Sequence, residues 1–174
     1  MKTAIIYTSQ TGFTKKYVDW ITEKTQAELF NLSEAQKKEA SFFDSYDAVI
    51  YASWFMAGKV VKSKWFLDKA ESLKGKKLAV IAVGASPNES REVPVAMNNL
   101  LTIEQSKYIK AFYCQGGLNY EKMKLPSKLM LKMFVNVLKK SKNPKQKEQG
   151  EFLDHSYDIS DIKFIEPVIA FLGE

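Results

Sequence analysis

The sequence predicts an α/β domain built on a doubly wound, five-stranded parallel sheet with helices on both faces. Three observations carry that expectation. Short apolar runs alternate with helical patterns along the chain, and no internal repeat is visible. Two of the runs, Asp47–Ala52 and Leu78–Val83, are almost continuously apolar, as expected for strands covered on both faces. The first run, Ala4–Tyr7, breaks into a hydroxyl-rich turn, after which Tyr17, Val18 and Ile21 recur at helical spacing.

In chain order, the first strand is expected over about Lys2–Tyr7 and the first helix over about Phe13–Lys24. Ala27–Leu32 reads as a short second strand, and Ser33–Lys38 as a polar loop or helical turn. The third strand is Asp47–Ala52, followed by a loop from Ser53 to Lys59. Trp65, Phe66, Leu67 and Ala70 give Lys64–Leu73 a helical pattern, stopped by Gly75. The fourth strand, Leu78–Val83, closes in Gly84-Ala85-Ser86-Pro87, and a helix runs from about Val93 to Leu101. The fifth strand lies in Tyr108–Gln115. A long amphipathic helix follows from Leu125 to Lys140, with Asn143-Pro144 as its stop and Lys142, Lys145 and Lys147 in a loop. Asp158-Ile159-Ser160-Asp161 starts the last helix, whose apolar face holds Phe164, Ile165, Val168, Ile169 and Leu172.

Right-handed crossovers put the loops that follow the strands on one edge of the sheet. In strand order 2-1-3-4-5 the switch point falls between the first and third strands, and a ligand is expected there. The loop after the first strand is Thr8-Ser9-Gln10-Thr11-Gly12-Phe13-Thr14. Its amides and the helix N-terminus favour an anion, and Ser9, Thr11 and Thr14 add hydroxyls. It has no G-x-x-x-x-G-K-[ST] and no G-x-G-x-x-G, so a monophosphate suits it better than a triphosphate or a dinucleotide. An ordinary capped turn is the alternative. The loop after the third strand, Ser53-Trp54-Phe55-Met56-Ala57-Gly58, offers large rings beside small residues, suited to a flat ligand. Val83-Gly84-Ala85-Ser86 lets backbone groups meet a polar edge.

The 174 residues suit one domain over 1-174, with 120-150 as a basic helical insertion. Cys114 and His155 are single, so disulfides and histidine or cysteine metal clusters are not expected. No apolar run reaches the roughly 18–20 residues of a transmembrane helix. No signal peptide pattern opens the chain. A cytoplasmic protein is expected, with peripheral contact to an anionic membrane permitted by the net charge of +6 and the lysine-rich helix.

The first loop resembles the phosphate-binding loop of the flavodoxin family. Ile5-Ile6-Tyr7 supply its apolar and aromatic lead, and Ser9, Gly12 and Thr14 its hydroxyl and small positions. Phe13 stands where flavodoxins usually have Asn, Val18 where they usually have Ala, and typical flavodoxins are acidic. The Ser53–Gly58 stretch is similar to the small-small-x-x-x-Ala-Gly version of flavodoxin-like protoporphyrinogen oxidases. Gln115-Gly116-Gly117-Leu118-Asn119-Tyr120 resembles a Gly-Gly-x-Leu/x-x-Tyr stretch of the same branch.

The resemblance implies a flavodoxin-like domain of strand order 2-1-3-4-5, with an extra basic helix after the fifth strand, holding one FMN. By it, Ser53 to Gly58 touch the isoalloxazine or ribityl, with Trp54 as the stacking candidate. The implied function is electron transfer with a redox partner protein or a quinone, and no nucleic acid. Two alternatives remain. One is a membrane-associated protoporphyrinogen oxidase-like enzyme passing electrons to a quinone. The other is a non-redox binding module that has lost FMN. No catalytic acid–base or nucleophile set is expected.

Overall fold

Strand β1 (Thr3–Tyr7) is an interior strand of the sheet, next to its edge, and Ala4, Ile5 and Ile6 on it are fully buried. The computed structural model describes residues 1–173; Glu174, the last residue of the expected domain, lies outside them. Helix α1 (Phe13–Thr25) lays Thr14, Tyr17, Val18 and Ile21 on the sheet. Strand β2 (Glu28–Asn31) pairs parallel with β1, and Asn31 then caps helix α2 (Leu32–Ala35) in a reciprocal capping box with Glu34. A 3-10 segment, Ala40–Ser45, leads into strand β3 (Ala48–Met56).

Strand β3 is longer than the sequence predicts. The expected loop from Ser53 to Lys59 is instead the end of this strand and a hairpin to strand β4 (Lys59–Val60), with Phe55 opposite Val60 and Met56 opposite Lys59. The reason is the turn: Ala57 (φ 49) and Gly58 (φ 78) both have positive φ, the geometry of a two-residue hairpin that follows strand twist. Trp54, Phe55 and Met56 therefore stand on a pleated strand with fixed directions.

Helix α3 (Ser63–Ala70) ends in a 3-10 turn, Glu71–Leu73. Strand β5 (Lys77–Gly84), helix α4 (Glu92–Asn98), a short helix α5 (Ile103–Ser106) and strand β6 (Ile109–Gln115) follow. The sequence reading missed α5, a single turn held by a Thr102–Gln105 capping box. The parallel strands run β2-β1-β3-β5-β6, with β4 antiparallel on β3. Since β5 and β6 are the fourth and fifth parallel strands, this is the predicted 2-1-3-4-5 order.

Beyond the sheet, strand β7 (Gly117–Leu118) precedes helix α6 (Leu125–Lys139) and helix α7 (Pro144–Phe152). Strand β8 (Tyr157–Asp158) returns to pair with β7. Asn143-Pro144 does not end in a loop carrying Lys145 and Lys147, as the sequence suggests; it starts α7. The Asn143 side chain accepts from the Lys145 amide at 3.0 Å, and Pro144 sits in the first turn, where its missing N–H costs nothing. A 3-10 turn capped by Asp161, Ile162–Ile165, leads into helix α8 (Glu166–Gly173).

The apolar residues divide by face. Val49, Tyr51 and Val80 pack under α2 and α3, while Ile50, Ile81 and Cys114 pack under α1 and α8. Leu118, Tyr120, Val135, Leu138 and Leu153 form a smaller cluster that ties α6 and α7 to β7. Among the described residues no helix is long and apolar enough to cross a membrane.

Candidate functional site

The first turn of α1 faces the switch point between β1 and β3. Gly12 caps the helix in the left-handed region (φ 104), and no side chain caps it through the usual position. Ser9 Oγ instead accepts from the Gly12 amide at 3.2 Å and the Lys15 amide at 3.4 Å. The amides of Phe13 and Thr14 lie in the first turn, where no intrahelical carbonyl can reach them. Lys15 is engaged with Asp19, and Lys16 with Asp158 and Ser160. Amides and hydroxyls are thus the donors this loop can turn to an anion.

From this turn a cavity of ≈ 530 Å³ opens. That lies within the roughly 300–1,000 Å³ of small-molecule sites. It brings together Ser9, Gln10, Thr11, Phe13 and Thr14 with Trp54, Phe55, Met56, Ala57 and Gly58, and with Val83, Gly84, Ala85 and Ser86. Three of the residues singled out from the sequence do not line it. The Thr8 amide continues the sheet ladder by donating to Ala52 O at 3.1 Å. Gly12 lies behind the turn as the helix cap. Ser53 is fully buried and shares the strand face of Tyr51, directed toward α3.

Phe13 has a packing role at this site. A Cβ on Gly116 would come within 3.1 Å of Phe13 Cβ, and one on Gly117 within 2.9 Å of Phe13 Cζ. The ring thus closes the space between the first loop and the two glycines after β6. An asparagine there would leave that apolar contact unfilled.

The loop after β5 is held by two phenols, one of which, Tyr113, also lines the cavity. Tyr113 Oη donates to Ser86 O at 2.7 Å, and Tyr157 Oη donates to Ala85 O at 2.8 Å. Burial pushes both phenols well above the usual tyrosine value, so they remain donors. Gln115 adds a third tie: its amide donates to Asn88 Oδ1 and its Oε1 accepts from the Asn88 amide. The carbonyls of residues 85 and 86 are spoken for.

Sequence reasoning missed a fourth wall. Ser127, Met130, Leu131 and Phe134 of α6 line the cavity, as do Val93 and Ala96 of α4. Gln10 bridges the first loop to this wall: its Nε2 donates to Ser127 Oγ and its Oε1 accepts from the Lys124 amide, both at 3.3 Å. A signal existed. The apolar residues of α6 are not confined to one face, and a helix of that kind needs more than one apolar neighbour. Cys114 belongs to the core, and burial pushes its thiol up to about 12.

Fold and cavity together define a doubly wound α/β protein with a place for a flat, anionic-tailed ligand at its switch point. The chain belongs to the flavodoxin domain family, which matches residues 4–145. FMN is the cofactor this membership indicates. The residues present fit it, with anion donors at one end, apolar walls and rings in the middle, and fixed backbone at the far end. No curated protein matches the chain in sequence. Among solved structures, the chain is similar to rubredoxin oxygen:oxidoreductase from Desulfovibrio gigas at 13% identity and a TM-score of 0.46. That likeness covers 99% of this chain and 37% of that one, so the chain spans little over a third of its length. Two-electron reduced flavodoxin from Megasphaera elsdenii is similar at 18% identity and a TM-score of 0.43, over 87% of this chain and 97% of that one. Oxidised flavodoxin 1 from Bacillus cereus is similar at 15% identity and a TM-score of 0.41, over 88% and 97%. At these values the family match, not the structural likeness, carries the assignment.

Proposed function

We propose that the protein binds one FMN non-covalently in this cavity and transfers electrons between redox partners. The flavin supplies the redox chemistry, and the chain supplies position and electrostatics. The observation that carries this reading is the convergence of three strand-end loops on one cavity. Thr11, Thr14 and the α1 amides would take the phosphate. Trp54 would lie against the ring, and backbone amides of the 83–86 segment, whose 84–86 carbonyls are already engaged, would meet its polar edge. A purified protein that is yellow, with a flavin spectrum released on denaturation, supports the reading. A protein that neither retains nor takes up FMN overturns it in favour of a binding module without flavin.

One observation favours a second reading, an FMN-dependent oxidoreductase of the protoporphyrinogen oxidase type. The cavity extends past the three loops to Leu131, Phe134, Met130 and Met123, an apolar compartment that the phosphate and ribityl do not need. A flat apolar substrate, such as a porphyrinogen or a quinone, would lie there. Rapid reoxidation of the dithionite-reduced protein by a soluble naphthoquinone, slowed by Phe134→Glu, is the expected result of this reading. A carrier for protein partners alone would show no such dependence.

A further inference from the structure

Between Lys122 and Lys147 the chain carries nine lysines and no aspartate or glutamate. The net charge is +6, so once those nine are set aside the rest of the chain is −3. The basic character of the protein is therefore the property of one segment, and α6 is its core. One side of α6, with Val135 and Leu138, packs against Leu118, Tyr120 and Leu153. The opposite side is also apolar but faces outward: Leu125, Leu129, Met133 and Val137 are 78%, 59%, 63% and 69% exposed. At about 100° per residue these four share one arc of the helix. Lys128 and Lys132 run along one border of that arc, and Lys124 and Lys140 stand at its ends. Along the other border lie Met130 and Phe134, which are partly exposed and also line the cavity. Of the segment's lysines, Lys139 alone forms a salt bridge among the described residues, to Asp154.

We propose that α6 seats the protein on an anionic lipid bilayer, with the mouth of the cavity turned toward the lipid. Lysines bordering an apolar stripe are the pattern of a helix lying in a membrane interface, its apolar side chains at the headgroup boundary and its ammonium groups among the phosphates. A second copy of the chain fits this face poorly, because an antiparallel two-fold contact would set lysine row against lysine row, and in either direction the contact would bring together two segments of nine lysines with no aspartate or glutamate. A protein partner fits less well than lipid. The stripe is convex and made of Leu, Met and Val, without the Trp, Tyr or Arg anchors around which protein interfaces concentrate their affinity. Because Met130 and Phe134 belong to both stripe and cavity wall, seating α6 brings the bilayer to the cavity's edge. The proposal stands on this surface and does not depend on FMN occupying the cavity.

The test uses the full chain and vesicles of phosphatidylglycerol with phosphatidylcholine, against phosphatidylcholine alone. The protein should pellet with the anionic vesicles at low salt, be released at high salt as the lysines are screened, and stay in solution with the neutral ones. The triple variant Leu129→Glu, Met133→Glu, Val137→Glu alters exposed positions only and should remain in the supernatant with its flavin content unchanged. Tryptophan placed by Met133→Trp, and separately by Met130→Trp, should shift its emission to the blue when anionic vesicles are added. Lys107→Trp, in the link between α5 and β6, should not. These emission readouts decide the matter if the triple variant does not fold. Absence of pelleting overturns the proposal, as does pelleting that survives the triple substitution. A dimer in lipid-free sedimentation that the triple variant dissolves would make the face an interface between copies. A shift at Met133→Trp without one at Met130→Trp would overturn the orientation of the mouth.

Discussion

Replacing Gly84 with Ala would place a methyl group in space that Tyr113 already fills. The added Cβ would lie 2.2 Å from Tyr113 Oη and 2.6 Å from its Cε2, well inside van der Waals contact. The phenol cannot swing aside freely, because its hydroxyl donates to Ser86 O at 2.7 Å. Two costs follow. Overpacking a filled site costs about 1–3 kcal/mol. Losing the Tyr113–Ser86 hydrogen bond costs a further ~0.5–1.5 kcal/mol. The sum is about 1.5–4.5 kcal/mol. For a chain of this size each kcal/mol shifts Tm by roughly 2–4 °C, so a fall of about 3–18 °C is expected. The freed 85–86 segment should also weaken FMN. Thermal unfolding followed by circular dichroism, with an FMN titration at a temperature where the variant is folded, measures both. Tyr113→Phe removes the hydrogen bond without adding bulk and should cost only about 1 kcal/mol. A Gly84→Ala protein with unchanged Tm and unchanged FMN affinity would refute the close contact and the role given to Tyr113.

Other outcomes are equally specific. Thr11→Ala with Thr14→Ala should weaken FMN by several kcal/mol at most, at about 1.5–3 kcal/mol for each hydrogen bond to a charged group, read by calorimetry. Trp54→Ala should partly restore the fluorescence of bound FMN and cost on the order of 0.5–1.5 kcal/mol in stacking beyond area burial; unchanged quenching would move the stacking role to Phe55. Cys114, with its pKa pushed up to about 12 by burial, should resist thiol reagents at neutral pH and react on unfolding; rapid labelling of the native protein would contradict its placement in the core. Burial also raises the pKa of Tyr17, Tyr51, Tyr113 and Tyr157, and Tyr46 is pushed up to about 12. A folded pKa above the unfolded one means that the contribution to stability is whole below the unfolded value, 10.0 for tyrosine, and is lost as pH rises toward the folded value. Stability should therefore fall steeply above pH 10, and a phenolate absorbance titration of the folded protein should be displaced upward; normal titration of all the tyrosines would be inconsistent with this burial.

Much of this architecture was legible because its cues are local. Strands β1, β3 and β5 are apolar runs buried on both faces, and their starts follow from the sequence to within a residue. The loop after β1 follows from its hydroxyls and Gly12. The end of β3 was not legible, because a positive φ at Ala57 is set by pairing with β4 and not by any preference of alanine. Helix α7 has no apolar periodicity; its start depends on the Asn143 cap, and Gly150 is buried against α6. The role of Phe13 depends on Gly116 and Gly117, over a hundred residues away, which no local pattern records. The basic charge that sets this chain apart from typical flavodoxins is confined to the segment around α6, so it leaves the reading of the cavity untouched.

The central claim is that the cavity holds FMN with its phosphate at the α1 N-terminus, and the most direct measurement compares FMN with riboflavin. Flavin-free protein would be titrated with each, followed by flavin fluorescence and calorimetry. Two hydrogen bonds to the phosphate at about 1.5 kcal/mol each correspond to a preference of roughly 100-fold. The account predicts one FMN per chain, bound at least that much more tightly than riboflavin, with the difference reduced when Thr11 and Thr14 are both alanine. Equal affinity for the two flavins, or binding of neither, would contradict it.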